Sequence, residues 1–208
     1  MFGILLFGDS IVYGRGEKPD IGWAGRFKEY FEKQDSYNAV YNLGILGDTT
    51  NDLLERFDTE AKARIQYYFP ENKFVIIFGI GTNDARCVET PVNHQTAPEE
   101  FKKNILRLIK KAGKHTKHIV FVGLLPVDED ITNPFEDTYF TNKRQKEYND
   151  MIKECCKQEK IEFIDMLDAW LKADYKSLLE DGLHPNSKGY EKIFETVKEF
   201  LVEKGIIK

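Results

Sequence analysis

The sequence predicts an α/β fold, a doubly wound three-layer α/β/α sandwich, and two observations carry that prediction. Five short apolar runs, rich in β-branched and aromatic residues, recur at residues 3–7, 39–43, 74–78, 119–124 and 161–164. Runs that are apolar on both faces suit parallel strands covered on both sides. Amphipathic stretches with helical spacing separate the runs, and such alternation implies right-handed strand–helix–strand crossovers.

Taken in order, each run is followed by a helical stripe. Gly3-Ile4-Leu5-Leu6-Phe7 leads to Trp23, Phe27, Tyr30 and Phe31. The second run precedes Leu53, Leu54, Phe57, Ala61 and Ile65, and the third precedes Phe101, Ile105, Leu108, Ile109 and Ala112. The fourth precedes Tyr148, Met151, Ile152 and Cys155. The fifth precedes Tyr190, Phe194, Val197 and Leu201, with Ile193 and Phe200 widening the stripe. Three- and four-residue spacing places each set on one buried helix face. No composition break or repeat interrupts the 208 residues, so residues 1–208 are expected to form a single domain. Two connections, residues 85–97 and 126–141, are long and leave the carboxyl ends of strands. Ligands bind there in open α/β sheets, and long loops at that edge are usually functional.

Composition excludes several classes. A net charge of −5 and a pI near 5.5, without a concentrated basic patch, argue against nucleic-acid binding. Lysine pairs such as Lys102-Lys103 and Lys110-Lys111 read as solvated helix faces. No segment approaches the ~18 consecutive apolar residues of a membrane span. The run at 3–7 is too short for a signal peptide and lacks a basic flank. Of the three cysteines, Cys155 and Cys156 are adjacent, and no metal-ligand spacing appears. Reduced thiols in a cytoplasmic protein without cofactor or metal are the expectation, and homo-oligomerisation is left open.

Chemistry concentrates in four segments. The first run ends in Gly8-Asp9-Ser10, which places a serine at a strand-to-helix turn with main-chain N–H groups nearby. Ser10 could simply cap the next helix. As a nucleophile it needs a base to take its proton. Glu180-Asp181-Gly182-Leu183-His184-Pro185, just before the last helical stripe, offers Asp181 and His184 three apart across a glycine. One turn can present both, with the carboxylate orienting one ring nitrogen while the other faces Ser10. His94, His115 and His118 have no comparable partner and read as exposed or loop histidines. Acyl transfer also needs oxyanion donors. Gly44-Ile45-Leu46-Gly47-Asp48 follows the second run and offers the Gly47 N–H, while Gly79-Ile80-Gly81-Thr82-Asn83-Asp84 follows the third and offers the Asn83 amide. Asp48 reads as a helix N-cap, and Asn83 and Asp84 could also serve as turn residues. In a parallel sheet all four loops open at one edge.

These blocks, in this order, resemble the GDSL (SGNH) hydrolase family, whose marks are Gly-Asp-Ser, a glycine block, Gly-x-Asn-Asp and a C-terminal Asp-x-x-His. The match runs from residue 7 to about residue 190. It implies a flavodoxin-like sandwich with strand order 2-1-3-4-5 and a metal-free serine mechanism. It also implies an oxyanion hole made from the Ser10 N–H, the Gly47 N–H and the Asn83 side chain. Ile11 stands where the family name has leucine, which touches packing only. Leu46 stands where many relatives have a small residue, which bears on pocket width.

The expected activity is therefore carboxylic ester hydrolysis, falling as the pH drops through about 6.5, where an unperturbed histidine protonates. Residues 126–141 are acidic and polar, with aromatics at Phe135, Tyr139 and Phe140 rather than an apolar lid. A short acyl group on a polar or sugar-like alcohol is the favoured substrate, with Asp9, Tyr13, Trp23, Leu46, Phe135 and Tyr139 lining its site. Trp23 and Tyr13 would stack on such a ligand, or else pack inside. Lysophospholipids and thioesters are the alternatives within the family. Two rivals lie outside it. One is a non-catalytic nucleotide- or flavin-binding domain, disfavoured by Asp9 and by the lack of a phosphate fingerprint. The other is a metal-dependent phosphohydrolase using Asp9, Asp84 and Asp181.

Overall fold

The computed structural model describes residues 2–65 and 73–207. Five strands form one parallel sheet: β1 (Phe2–Gly8), β2 (Ala39–Gly44), β3 (Lys73–Gly79), β5 (His118–Val122) and β7 (Glu162–Ile164). A separate antiparallel pair, β4 (Cys87–Val88) and β6 (Thr138–Tyr139), joins the two long connections. The sheet order is β2-β1-β3-β5-β7, which is the 2-1-3-4-5 order of the five expected runs. The two small strands account for the difference in numbering.

Side chains alternate across the central strands and feed two cores. Leu5, Phe7, Ile76, Phe78 and Phe121 face one layer, made by α3 (Thr50–Ile65), α4 (Pro98–Ala112) and α6 (Asn142–Glu159). Ile4, Leu6, Val75, Ile77 and Val120 face the other, made by α2 (Gly22–Glu32) and α8 (Ser187–Glu203). Phe7, Phe78 and Phe121 stack across three adjacent strands, with centroids 5.9 and 4.7 Å apart. Each such buried ring contributes about 1.5–3 kcal/mol, so the middle of the sheet is a rigid platform.

Most strands extend their expected runs by a residue, but two are cut short at one end, each for a local reason. The fourth run stops at Val122, because the Asn149 side chain takes over as acceptor for the Leu124 N–H at 2.9 Å. Ile161 precedes β7; its N–H closes the end of α6 on the Cys156 carbonyl. The remaining short helices are α1 (Ser10–Tyr13), α5 (Glu129–Thr132) and α7 (Leu167–Leu171), with a 3₁₀ turn at Tyr175–Leu178. Cys87, Cys155 and Cys156 are free and buried. Among the described residues, no helix is long and apolar enough to cross a membrane.

Candidate active site

Register brings the site together. Gly8 pairs with Gly44 on one side and with Gly79 on the other, so three strands end on one transverse row. The Ser10, Gly47 and Asn83 loops all leave from that row. A Cβ at Gly8 would lie 2.2 Å from the Gly79 carbonyl and 2.3 Å from the Val12 side chain. Glycine is thus required by close packing of α1 on the strand ends.

Ser10 is the first residue of α1, and the cap is its neighbour: Asp9 accepts from the Ile11 N–H at 2.9 Å. The reading of Ser10 as an N-cap is corrected accordingly. With Asp9 capping, the Ser10 hydroxyl is free to face the crevice, and it lies 2.9 Å from His184 Nε2 across 174 residues of sequence.

His184 is fixed by its own turn. Asp181 accepts from the Leu183 N–H at 3.1 Å, the His184 N–H at 2.8 Å and the ring Nδ1 at 2.8 Å. Gly182 spans the turn at φ +85°, and its carbonyl accepts from the Asp128 N–H. Burial works to raise the Asp181 carboxyl, but the hydrogen bonds from the His184 ring and backbone outweigh it and hold the group at about 2. An ionised Asp181 on Nδ1 assigns the proton to that nitrogen, leaving the Nε2 lone pair to accept from the Ser10 O–H.

The opposite wall is more deeply buried. Asn83 Nδ2 donates to the Asp48 carbonyl at 3.0 Å, and an amide nitrogen keeps a second hydrogen for another acceptor. Asp84 is fully buried; its carboxylate accepts from Thr50 N at 3.1 and 3.0 Å and from Thr50 Oγ1 at 2.6 Å. It therefore anchors the start of α3 and is more than a turn residue. Gly47 adopts φ +83°, and a Cβ there would meet nothing within 4 Å, so its flank is open. Asp48 is not the cap of α3: Thr49 and Asp52 exchange the capping bonds, Thr49 N donating to Asp52 at 2.8 Å. Asp48 instead pairs with Arg56 at 2.7 Å.

The expected substrate-contacting residues divide. Tyr13, Leu46 and Phe135 are exposed, and Tyr139 is half-buried in β6 opposite Cys87. Trp23, at 1% exposure, belongs to the α2–α8 core, and this corrects its assignment as a stacking surface. Asp9, also 1% exposed, is occupied as a cap, and what it offers a ligand is one wall of a small apolar cavity shared with Ile11, Trp23 and Ile80. Burial pushes its carboxyl up to about 7 against the lowering effects of the Ile11 N–H and His184. The carboxylates a metal-dependent rival would need are each engaged by protein donors: Asp9 on Ile11, Asp84 on Thr50, Asp181 on His184.

Two residues carry contacts that sequence spacing did not reveal. Arg56 links Asp48 to the Gly8 carbonyl, with Nη2 3.0 Å from the latter. His94, read as a loop residue, meets Arg144 of α6 at 2.8 Å, and Arg144 also donates to the Ala85 carbonyl at 2.6 Å. No local signal marks either contact, because both join segments about 50 residues apart or more, or loops whose paths sequence leaves open.

Comparison with known proteins identifies the family and the fold. The model of the GDSL-like lipase/acylhydrolase family matches residues 6–192. The GDSL esterase/lipase CPRD49 of Arabidopsis thaliana is 26% identical over 94% of this chain and 78% of its own. The fold is shared with a lipase/acylhydrolase from Enterococcus faecalis, at TM-score 0.78 and 24% identity, covering 100% of this chain and 98% of that one. It is shared also with a catalytic mutant of Axe2, an acetylxylan esterase from Geobacillus stearothermophilus, at TM-score 0.71 and 19% identity, covering 97% and 93%. The chain belongs to the GDSL-like lipase/acylhydrolase family and is a carboxylic ester hydrolase.

Proposed function

We propose that the protein cleaves short-acyl esters of polar or sugar-like alcohols through an acyl-enzyme on Ser10. The observation that carries this reading is the 2.9 Å approach of Ser10 Oγ to His184 Nε2, with Asp181 on the far side of the ring. His184 takes the serine proton as Oγ attacks the ester carbonyl. The oxyanion is received by the Ser10 and Gly47 N–H groups and by the second Asn83 amide hydrogen. His184 then returns the proton to the leaving alcohol, and water releases the acyl group by the same route.

The short-acyl part has separate support. The apolar cavity lined by Ile11, Trp23, Ile80, Leu124 and Leu125 beside Asp9 lies next to α1, which carries Ser10, and measures about 20 Å³, room for a methyl-sized group and not for a long chain. The rim segment around α5 carries Asp128, Glu129 and Asp130.

The test is Ser10→Ala assayed on p-nitrophenyl esters from acetate to palmitate and on acetylated sugars, included because one fold neighbour is an acetylxylan esterase. Turnover is expected to drop by several orders of magnitude, as in serine hydrolases whose groups act as a unit. Near-normal turnover would remove Ser10 from its role. A steep preference for palmitate would overturn the acyl length and leave the mechanism standing.

A further inference from the structure

We infer, taking Gly47 as an oxyanion donor as proposed above, that Arg56 is a positioning residue that locks this donor against the nucleophile strand. The loop carrying Gly47 has little apolar burial to hold it: Ile45 and Leu46 are 45% and 49% exposed, and Gly47 has no side chain. Its shape depends on hydrogen bonds. The Ile45 N–H donates to the Gly8 carbonyl at 3.1 Å, and the Asp48 N–H closes a turn on Ile45 at 3.3 Å.

Arg56 supplies the rest. Its guanidinium is about 15% exposed and reaches three acceptors on three segments. Nε donates to the Asp48 carboxylate at 2.7 Å, Nη1 to Glu60 at 3.0 Å and Nη2 to the Gly8 carbonyl at 3.0 Å. Gly8 lies two residues before Ser10, and Asp48 directly follows Gly47. One planar cation thus spans the nucleophile strand and the donor loop. Through the Asp48 carbonyl, which accepts from Asn83, it also sets the second donor. A lysine, with a compact point charge on a flexible stem, cannot meet all three acceptors. An N–H that must lie within ~0.5 Å of its working position is sensitive to such a clamp.

Arg56→Met and Arg56→Lys, compared with Ser10→Ala, Asn83→Ala and Arg64→Met, test this on p-nitrophenyl acetate. Arg64 sits two turns further along α3, where it shares Glu60 with Arg56 but bonds to neither Gly8 nor Asp48, so it separates the Glu60 arm from the two arms that matter. We expect kcat and kcat/KM to fall together by about 10- to 100-fold in both Arg56 variants, with KM little changed, as for an interaction made only in the transition state. Arg64→Met should keep the parent kcat. Asp48→Asn, which keeps an acceptor but no charge, should fall in the same direction and provides the measurement if Arg56→Met does not fold. A folded Arg56 variant with parental kcat, a loss confined to KM, or an equal loss in Arg64→Met would each overturn the assignment. If Asn83→Ala and Ser10→Ala lose activity while Arg56→Lys does not, only the clamp fails. If Ser10→Ala stays active, the reading of the site fails instead.

Discussion

The two walls of the site are built differently. The proposed donor wall of Gly47 and Asn83 rests on the sheet, with Asp84 fully buried beneath it and Arg56 bonded to both the Gly8 carbonyl and Asp48. The proposed acid–base wall is an eight-residue excursion between the 3₁₀ turn and α8, and the Asp181 side chain is half exposed. Donors that meet a charge only in the transition state gain most from being immobile, since reorganisation at that moment costs free energy. A base that accepts a proton and later returns it needs only its ring held in one tautomer, and a short turn achieves that.

This contrast is sharpened first by His184→Ala, the largest expected effect on rate. Turnover should fall by about 10⁴-fold or more, while the melting temperature stays within a few degrees of the parent, because the side chain packs no core. A large drop in melting temperature would show that the acid–base wall is structural after all. Next comes Asn83→Ala, expected to cost roughly 10²–10³ in kcat. Unlike His184→Ala it should also lower stability, since the Asp48 carbonyl loses its buried partner. A stability-neutral Asn83→Ala would erase the distinction between the walls.

Asp84→Ala should act mainly on stability. Removing the carboxylate orphans the Thr50 N–H and takes away the acceptor of the Thr50 O–H, whose oxygen still accepts from Asn104; each buried unsatisfied donor costs ~1–3 kcal/mol. Chemical denaturation would read this; an unchanged midpoint would show that α3 is anchored elsewhere. The effect confined to one pH range is expected from Asp9→Asn, which keeps an acceptor for the Ile11 N–H but cannot ionise. Burial raises the Asp9 carboxyl to about 7 in the folded chain, against ~3.9 unfolded. The folded state therefore holds the proton more tightly, and wild-type stability declines as pH rises from about 4 to about 7. The variant should melt like the parent near pH 4 and above it at pH 8. A pH-independent difference would show that this carboxyl does not titrate in that window.

Much of this was legible beforehand, for identifiable reasons. The five strand positions follow from continuous apolar runs, which only a sheet covered on both faces tolerates. Asp181 and His184 were legible because their coupling is local, three residues across a glycine. Ser10 and His184, 174 residues apart, could be paired because the alternation of elements forces their loops to one sheet edge. What escaped depended on contacts without a sequence period. Arg56 lies on a helix whose charged face looks like any solvated face, and only its reach to the Gly8 carbonyl distinguishes it. Trp23 had two readings, stacking because it follows Ser10 closely and packing because it starts a helical stripe, and the second is the one the fold takes. Asp48 sat where a cap belongs, but Thr49 and Asp52 took that work and left its carboxylate to Arg56.

The pairing of β4 with β6 has a further consequence. Cys87 faces Tyr139 and Val88 faces Thr138, and the Glu89 N–H also donates to the Asp137 carbonyl. The two long connections are therefore zipped into one awning over the sheet edge. Neither can be lengthened, shortened or reshaped without dragging the other, so any attempt to retune this enzyme toward bulkier esters by loop grafting must exchange both segments as a matched set.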